Sequence, residues 1–496
     1  MNKHFKVLLL NMPSPPYQDV YRDAAGGFGV AFPSSRNDYG ENSEKTLHPF
    51  MPYASSILSQ AGYDFKVLDC QRLKLNKFQT LQAVKKENPD IIFSLMGLPS
   101  MQKELDLLKE IKKDIENVLI VGVGTVCKVL SQELLSNKGV DVVLRDEYPY
   151  VFNISDFLQA LQRSSEFKRI NGISYKDCGK IIQKPCTVKG NLRELPSPSY
   201  DCIEFDGYES FIDIEGQRYL YVPILGSKGC PYPCIYCPYP VGFGKKPTFR
   251  SPEAIVDEIE YLHKNRKING FLLRMQSFTL NLKHAEGICD EIIRRKLEIA
   301  WFCEARVDVI TKQLLCKMRR SGCKRIHFGV ETGDPELIKI AKPGVCLDDI
   351  KKAFRLTKEA GIWAIAHMIL GWPDDNMKTV KNTCKFLKEL DPDGINWNFL
   401  TPYPGTKIRE IAQRDSLILT NDWSYYTSHT VVMRTKHLSA EQLYAAEERI
   451  IRNLAKQRLL KLVLRPNVHG QKQFKLFWNE VRALIGKILL SKASNI

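Results

Sequence analysis

The sequence alternates short apolar runs, rich in β-branched residues, with helical patterns, and it does so in two separate blocks. The candidate strands of the first block are Lys6 to Met12, Phe65 to Cys70, Asp90 to Gly97, Val118 to Gly124 and Val140 to Arg145. Strands that alternate with helices pair in parallel, because each crossover helix returns the chain to the same end of the sheet. This block, residues 1–160, therefore predicts a doubly wound α/β domain whose ligand would sit at the carboxyl ends of the strands.

The second block extends from residue 219 to residue 415 and has the same alternation. Its candidate strands are Leu220 to Leu225, Gly270 to Met275, Ala300 to Glu304, Arg325 to Glu331, Trp363 to Leu370 and Gly394 to Leu400. Six strands with helices between them predict a partial (β/α)6 version of the parallel barrel, with its chemistry on the loops that follow the strands. Residues 161–218 predict a connector with a small strand pair, and residues 416–496 predict a basic helical C-terminal region.

Composition limits the kinds of partner. The chain has neither a secretory leader nor a run of 18 apolar residues, so we expect a cytoplasmic protein without a membrane span. The formal net charge is +16, and residues 434–496 hold 13 lysines and arginines against four glutamates. That tail has two open interpretations, a solvated helical face or a peripheral contact with anionic membrane. No nucleic-acid-binding motif accompanies it, so we expect no nucleic acid partner.

Three cysteines, Cys230, Cys234 and Cys237, lie within eight residues directly after the first strand of the second block. Neither Cys nor His occurs between Pro238 and Tyr261. A 4Fe-4S cube normally takes four thiolates, so three ligands would leave one iron open to a chelating small molecule. Structural zinc sites close with four ligands, which makes zinc the weaker alternative. The spacing therefore predicts an iron-sulfur cluster at which chemistry takes place.

This spacing, with Tyr236 just before the last cysteine, resembles the signature of the radical S-adenosylmethionine (SAM) superfamily. From about residue 5 to residue 415 the chain resembles the cobalamin-binding branch, in which a Rossmann-like B12 domain precedes the barrel. The stretches that carry this likeness include Leu8 to Pro13, Pro52 to Ala54, Ala61 to Tyr63, Phe278 to Asn281, Ala305 to Asp308, Phe328 to Gly333 and Pro402 to Thr406. The resemblance implies three cofactors: a 4Fe-4S cluster on the three cysteines, SAM on the open iron, and cobalamin.

The resemblance also implies roles for single residues. Tyr236 would lie near the adenine of SAM, and Arg306 and Glu331 would bind its charged or ribose parts, unless they form a structural ion pair. Gly371 would let the backbone approach adenosine, unless it only makes a tight turn. The strand ends expected to contact cobalamin carry Asn11, Pro13, Gly97, Gly122, Gly124 and Thr125, which plain turns would explain equally well.

Two stretches depart from the family pattern. Where relatives often have an acidic residue before Phe278, this chain has Arg274 to Ser277, and where they commonly have Arg-Gly-Glu it has Arg145 to Glu147. No histidine lies in an Asp-x-His-x-x-Gly loop, so we expect no cobalt ligand from such a loop. The loose candidates for a lower cobalt ligand are His48, His327 and His367, although lone histidines are more often structural.

The leading functional hypothesis is a B12-dependent radical SAM methyltransferase. Such an enzyme abstracts a substrate hydrogen with a 5'-deoxyadenosyl radical and transfers methyl from methylcobalamin. One alternative is an oxidative, ring-forming enzyme that resembles the anaerobic magnesium-protoporphyrin monomethyl ester cyclase. The other is a cobalamin-binding sensor or carrier with a structural cluster. The resemblance implies a small-molecule or lipid-like substrate and an electron donor such as flavodoxin or ferredoxin.

Overall fold

Two seven-stranded sheets form the body of the protein. The computed structural model describes residues 5–16, 18–33, 45–145, 154–162, 166–186, 191–214 and 217–464. Within these residues the two sheets correspond to the two alternating blocks of the sequence, so the predicted α/β architecture is confirmed.

The first sheet is doubly wound. Its strands, in spatial order, are Asp64–Asp69, Lys6–Asn11, Ile91–Leu95, Leu119–Val123, Val142–Leu144, Ile173–Asp177 and Lys180–Gln183. The first five are parallel. The accompanying helices are Phe50–Gln60, Lys77–Glu87, Met101–Asp114, Thr125–Val129, Ser131–Ser136 and Ile154–Gln162. Strand order reverses between Lys6–Asn11 and Ile91–Leu95, which places the topological switch point, the usual ligand crevice of such sheets, between these strands.

The strand pair that the sequence suggested for the connector extends this first sheet. Val143 pairs with Ser174 in antiparallel register, and Tyr175 pairs with Ile182 beyond it. The pair buries Ile173 and Tyr175 against the first domain, and it satisfies the hydrogen-bonding groups of an otherwise open edge.

The second sheet is the partial barrel. Strand Phe211–Ile214 pairs antiparallel with barrel strand one, and barrel strands one to six are Gln217–Leu225, Gly270–Arg274, Ala300–Ala305, Cys323–Glu331, Trp363–Leu370 and Gly394–Phe399. The six are parallel. Its helices are Tyr239–Phe243, Pro252–Arg266, Leu282–Arg294, Lys312–Arg320, Pro335–Ala341, Leu347–Glu359 and Met377–Leu390. The predicted (β/α)6 barrel is thus confirmed.

Local sequence explains where the barrel helices begin. Side chains just before five helices accept hydrogen bonds from the first-turn amides, and they are Ser251, Asn281, Thr311, Asp334 and Asn376. Such N-caps satisfy amides that have no partner within the helix. The helices then cover the outer face of the strands, where Phe271, Ile326 and Phe328 are fully buried.

Two short strand pairs and five 3-10 turns complete the described part of the fold. Strand pairs form between Gln18–Tyr21 and Val30–Pro33 and between Ser227–Lys228 and Thr248–Phe249. The 3-10 turns are Ala25–Gly27, Glu166–Arg169, Leu192–Glu194, Phe278–Leu280 and Trp423–Tyr425.

The chain beyond the barrel is only partly helical. Helices cover Lys407–Arg414 and Ala440–Leu464, but residues 416–439 carry an isolated bridge between Ile418 and Met433 and no α-helix. Tyr426 and Val432 of this stretch are buried in the core of the first domain. No helix among the described residues is long and apolar enough to cross a membrane. The remainder of the predicted basic helical region, residues 465–496, lies outside the described residues.

Candidate active site

The cysteine loop, residues 229–238, follows barrel strand one, as the sequence predicted. Gly229 has a φ of +80°, and a Cβ there would collide with the carbonyl of Lys246, so only glycine fits this entry turn. The amide of Cys230 donates to the carbonyl of Gly244 at 3.1 Å, and the amide of Cys237 donates to the carbonyl of Cys234 at 3.2 Å. These bonds fold the loop back over the end of the barrel.

The three thiols of the cysteine loop are half-buried, and none forms a disulfide. Burial raises the pKa of each thiol, most strongly that of Cys237. The charges of Arg306 and Lys342 act in the opposite direction on the pKa values of Cys230 and Cys234, and so favour the thiolate. Among the described residues, no three His, Cys, Asp or Glu side chains are grouped as ligands of one metal ion. By its chemistry, this set of sulfur donors fits a cluster with three thiolate ligands.

Tyr236 and Glu331 meet beside the cysteine loop. The hydroxyl of Tyr236 donates to Glu331 Oε1 at 2.7 Å, and Lys342 Nζ lies 3.0 Å from the same oxygen. Glu331 ends barrel strand four with a φ of +68°, an uncommon conformation for a residue other than glycine. Lys342 also donates to the carbonyl of Gly329 at 2.6 Å. The carboxylate is therefore buried and held at a fixed position next to the cysteines.

Gly371 reaches the same place from barrel strand five. It has a φ of +94°, and its neighbour Trp372 packs edge-on against Tyr236 with ring centroids 5.4 Å apart. The amides of Gly371 and Trp372 both donate to the carboxylate of Asp375, at 2.9 and 3.1 Å. Burial raises the pKa of Asp375 to about 6. The structure thus brings together three of the four residues predicted to bind SAM.

Arg306, the fourth, contacts the cysteine loop from another side. Its guanidinium lies 3.6 Å from the ring centroid of Tyr232 and makes two hydrogen bonds to Asp308, at 3.0 and 2.7 Å. Arg306 and Glu331 are therefore not each other's ion-pair partners, and a role of either toward SAM stays a prediction. Sequence reasoning missed Tyr232, which its place within the cysteine motif could have indicated, and Lys342, for which the sequence offered no signal.

At the carboxyl edge of the first sheet, where its parallel strands end, Asn11 and Gly97 flank the switch point. Asn11 donates to Asp69 at 2.9 Å and accepts a 2.9 Å hydrogen bond from Arg22. The amide of Gly97 donates to Glu104 at 3.0 Å, and the same carboxylate forms a 2.6 Å ion pair with Arg22. The side chains of Arg22 and Glu104 are each only 2% exposed. No sequence motif had indicated this buried network of Arg22, Glu104, Asn11 and Asp69.

The other residues predicted to contact cobalamin also face the chain itself. The hydroxyl of Thr125 donates to the carbonyl of Gly26 at 2.6 Å, and the carbonyl of Pro13 accepts from Arg22 at 3.4 Å. Gly124 has a φ of +127° at the start of a helix, and Gly122 packs inside its strand against hydrophobic side chains. The residues are small and polar enough for a cofactor to approach, but in this conformation residues 22–26 cover the carboxyl edge. Their role toward cobalamin stays a prediction.

The departure at barrel strand two has a structural explanation. Arg274 lies 2.8 Å from Asp23 of the first domain and 3.3 Å from Glu304 of barrel strand three. Arg274 and Asp23 are both largely buried, at 15% and 7% side-chain exposure. The arginine thus joins the barrel to the first domain. Of the other departure, only Arg145 lies within the described residues.

The three candidate histidines are in two places. His48 lines a small cleft with Asn11, and its Nδ1 accepts the amide of Phe50 at 3.1 Å. Burial lowers the pKa of His48 to about 4. His327 Nδ1 lies 2.9 Å from His367 Nε2 on adjacent barrel strands, and burial lowers both pKa values. His327 and His367 therefore belong to the barrel and not to the first sheet.

Known proteins share both the barrel sequence and the two-domain architecture of this chain. Residues 224–387 match the radical SAM superfamily. An uncharacterized methyltransferase, PH0819, of Pyrococcus horikoshii is 30% identical over 421 residues, which cover 84% of this chain and 88% of the relative. The anaerobic magnesium-protoporphyrin IX monomethyl ester cyclase of Rubrivivax gelatinosus is 25% identical over 403 residues, which cover 79% of this chain and 71% of the cyclase.

Among solved structures, the radical SAM methyltransferase TsrM of Kitasatospora setae, with cobalamin and a [4Fe-4S] cluster bound, has the same fold. Its TM-score is 0.67 at 16% identity, over 92% of this chain and 89% of TsrM. At such low sequence identity, the match shows a shared fold and nothing about function. From the relative at 30% identity and from the match of the barrel residues, we conclude that the chain belongs to the radical SAM superfamily, and it shares its two-domain fold with TsrM.

Proposed function

We propose that the protein is a cobalamin-dependent radical SAM methyltransferase that acts on a small-molecule substrate. The observation that carries this proposal is the cysteine loop: three thiols without disulfide partners lie at the carboxyl end of barrel strand one, next to a buried carboxylate. Methyl transfer is supported by the relative at 30% identity, which is named as a methyltransferase. The TsrM fold, found in a structure that holds both cobalamin and a cluster, supports the cofactor set.

The cysteine loop and the barrel would bind different cofactors. Cys230, Cys234 and Cys237 would hold the cluster, which when bound supplies the electron for SAM cleavage, while bound cobalamin supplies the transferable methyl group. The carboxylate of Glu331 would accept hydrogen bonds from the ammonium group or ribose of SAM, and Tyr236 and Lys342 fix its position. Because this carboxylate is already oriented, SAM would meet a preorganised acceptor.

Two further features would shape the site. Gly371 has no side chain, and its left-handed backbone, held by Asp375, would let adenosine approach barrel strand five closely. Arg306 adds a fixed positive charge beside Cys230 and Cys234, because Asp308 and Tyr232 hold its guanidinium in place. A cation there would stabilise thiolates and the negative charge of a bound cluster.

The deciding experiment uses full-length protein reconstituted anaerobically with iron, sulfide and hydroxocobalamin. It receives a reductant, a small-molecule extract and SAM with a deuterated methyl group. Methyl transfer predicts a labelled product together with S-adenosylhomocysteine and 5'-deoxyadenosine. Deoxyadenosine without a labelled product or S-adenosylhomocysteine would contradict the proposal. Retention of cobalamin without any SAM cleavage would point instead to a sensor or carrier.

A cyclase is the second candidate, because the curated cyclase relative matches 79% of this chain. A ring-forming oxidation consumes SAM without transferring its methyl group. The same reaction mixture therefore separates the two functions: a cyclase would yield deoxyadenosine and a product that has lost hydrogen and carries no label.

We also propose a cytoplasmic setting and a flavodoxin or ferredoxin as electron donor, since SAM cleavage at a cluster requires one electron per turnover. The peripheral membrane contact of the basic tail remains a prediction, because most of that tail lies outside the described residues. Sedimentation with anionic vesicles at low salt is its test, and absence of binding would leave the solvated-face interpretation.

A further inference from the structure

A short hairpin lies between the two domains. This strap, Gln18–Pro33, consists of strands Gln18–Tyr21 and Val30–Pro33, which pair with each other and with neither large sheet. A turn at Ala25–Gly27 connects them. Its residues Arg22 and Asp23 are neighbours in sequence but bind opposite sides: Arg22 pairs with Glu104 of the first domain, and Asp23 pairs with Arg274 of the barrel. The strap is therefore bound to both domains by ion pairs.

Arg22 fills the ligand crevice of the first sheet. Its guanidinium contacts Asn11 at the end of one flanking strand and the carboxylate of Glu104, which also accepts the amide of Gly97 after the other strand. A Cβ on Gly97 would lie 3.2 Å from Cγ of Arg22. Ligands of doubly wound sheets sit at this switch point. A side chain of the protein thus takes the place where a ligand of the first domain is expected.

The turn of the strap touches both candidate cofactor sites. The carbonyl of Gly26 accepts the hydroxyl hydrogen of Thr125 at the carboxyl edge. A Cβ on Gly26 would lie 2.7 Å from the carbonyl oxygen of Pro238, the residue after Cys237, and a Cβ on Gly27 would lie 2.5 Å from Oγ1 of Thr125. Backbone therefore packs on backbone between the first domain and the cysteine loop, and the contact leaves no room for a ligand.

We propose that the strap is a displaceable cover of the cobalamin site, and that it must swing away from the carboxyl edge before the cofactor enters. The proposal rests on the cobalamin dependence proposed above. The strands of the strap belong to neither large sheet, and two of its connections are ion pairs whose charged groups water can solvate once they separate. Its opening would also withdraw Phe28 from the core of the first domain and break the 2.7 Å hydrogen bond from the amide of Leu98 to the carbonyl of Phe28. Arg22–Glu104 is the first-domain latch, and Asp23–Arg274 is the barrel latch.

The test measures how fast full-length protein binds hydroxocobalamin, from the change in cobalamin absorbance. One variant combines Arg22→Gln with Glu104→Gln, and a second combines Asp23→Asn with Arg274→Gln, so that both charges of each latch are removed together. The second variant also removes the partner of Glu304, whose side chain is 32% exposed and can be solvated. The matched control, Lys77→Gln with Glu110→Gln, opens an exposed ion pair on the same domain. A cover predicts association about tenfold faster in either latch variant, because a required opening slows binding, and no change in the control.

Several outcomes would overturn the proposal. Equal association rates in wild type, latch variants and control would show that the strap does not limit entry. Loss of binding in latch variants that remain folded by circular dichroism would make these residues cofactor contacts and not a cover. If no form of the protein binds hydroxocobalamin, even after refolding in its presence, the proposed cobalamin dependence itself fails. Hydrogen exchange supplies a second measurement: residues 18–33 should lose amide protection during cobalamin entry, and unchanged protection contradicts the cover.

Discussion

The cysteine loop and the carboxyl edge of the first sheet are both candidate cofactor sites, but their polar groups differ in state. The three thiols of the cysteine loop form no disulfide and are half-buried. At the carboxyl edge, Arg22, Glu104, Asn11 and Asp69 satisfy one another in a buried network. At the cysteine loop a ligand would therefore have no disulfide to displace, whereas at the carboxyl edge it would have to compete with contacts that the chain already makes.

The largest expected effect concerns the cysteine loop. Cys234→Ala should lower reductive SAM cleavage by more than about 100-fold, since even partners that only orient metal ligands contribute 10–100-fold. Anaerobic reconstitution followed by quantification of 5'-deoxyadenosine measures it. Cys384→Ala, remote from the cysteine loop in sequence, is the control and should retain activity. Unchanged deoxyadenosine formation by Cys234→Ala would contradict the assignment of the cysteine loop as the cluster site.

The next effect is on stability at the carboxyl edge. Glu104→Ala should lower the free energy of unfolding by about 3–5 kcal/mol, because it leaves Arg22 charged, buried and without its partner. Urea unfolding followed by circular dichroism measures the loss. Glu110→Ala, which removes an exposed partner of Lys77, should change the value by less than about 1 kcal/mol. Equal losses of unfolding free energy in the two variants would show that the buried Arg22–Glu104 pair contributes no more to stability than an exposed pair.

Acid should weaken the first domain through His48. Its folded-state pKa of about 4 lies below the ordinary 6.5, so the unfolded chain binds more protons between these values and stability falls as pH falls through this window. From pH 7 to pH 5 the loss should be about 2 kcal/mol. Urea titrations at both pH values should show a smaller loss in His48→Gln. An identical pH dependence in the variant would remove His48 as the cause.

Binding of SAM should depend on the hydroxyl of Tyr236. Tyr236→Phe removes the hydrogen bond that orients Glu331, and the affinity for SAM should fall about tenfold, in keeping with 1.5–3 kcal/mol for bonds to charged groups. Equilibrium dialysis with reconstituted protein measures the dissociation constant. Tyr425→Phe, which changes an exposed tyrosine, serves as the control. An unchanged dissociation constant for SAM would contradict a role of the Tyr236–Glu331 hydrogen bond in SAM binding.

The smallest effect has the opposite dependence on pH. Burial raises the pKa of Asp375 to about 6, so the folded protein binds the proton more tightly than the unfolded chain, and stability falls as pH rises from about 4 to 6. From pH 5 to pH 7 Asp375 should cost about 1 kcal/mol. Asp375→Asn should abolish this part of the profile in urea titrations. A steeper profile in the variant would contradict the assignment.

The sequence predicted the fold well because the signals for parallel α/β units are local. The apolar run at Val7 to Leu10 and the capping residues before the barrel helices specify their elements without help from distant residues. The cysteine motif and Tyr236 were found for the same reason. The burial of Tyr426 and Val432 in the core of the first domain was not predicted, because such packing joins segments that are distant in sequence.

The contacts that the sequence could not supply join distant segments. Lys342 reaches Glu331 only because it follows helix Pro335–Ala341 beyond barrel strand four. Asp23 and Arg274 lie on different domains, and the departure from the family pattern at Arg274 to Ser277 gave no hint of this pairing. Side-chain pairing across domains depends on how the finished sheets face each other, which residue periodicity does not encode.

The contact at Gly26 determines how motion passes between the two halves of the molecule. Where side chains separate two elements, rotamer changes can absorb a small shift; here the Cα of Gly26 and the backbone at Pro238 are directly opposed. A movement of the strap toward the cysteine loop would therefore press on the residue that follows Cys237. Through this contact, the position of the strap would influence the backbone beside the three cysteines.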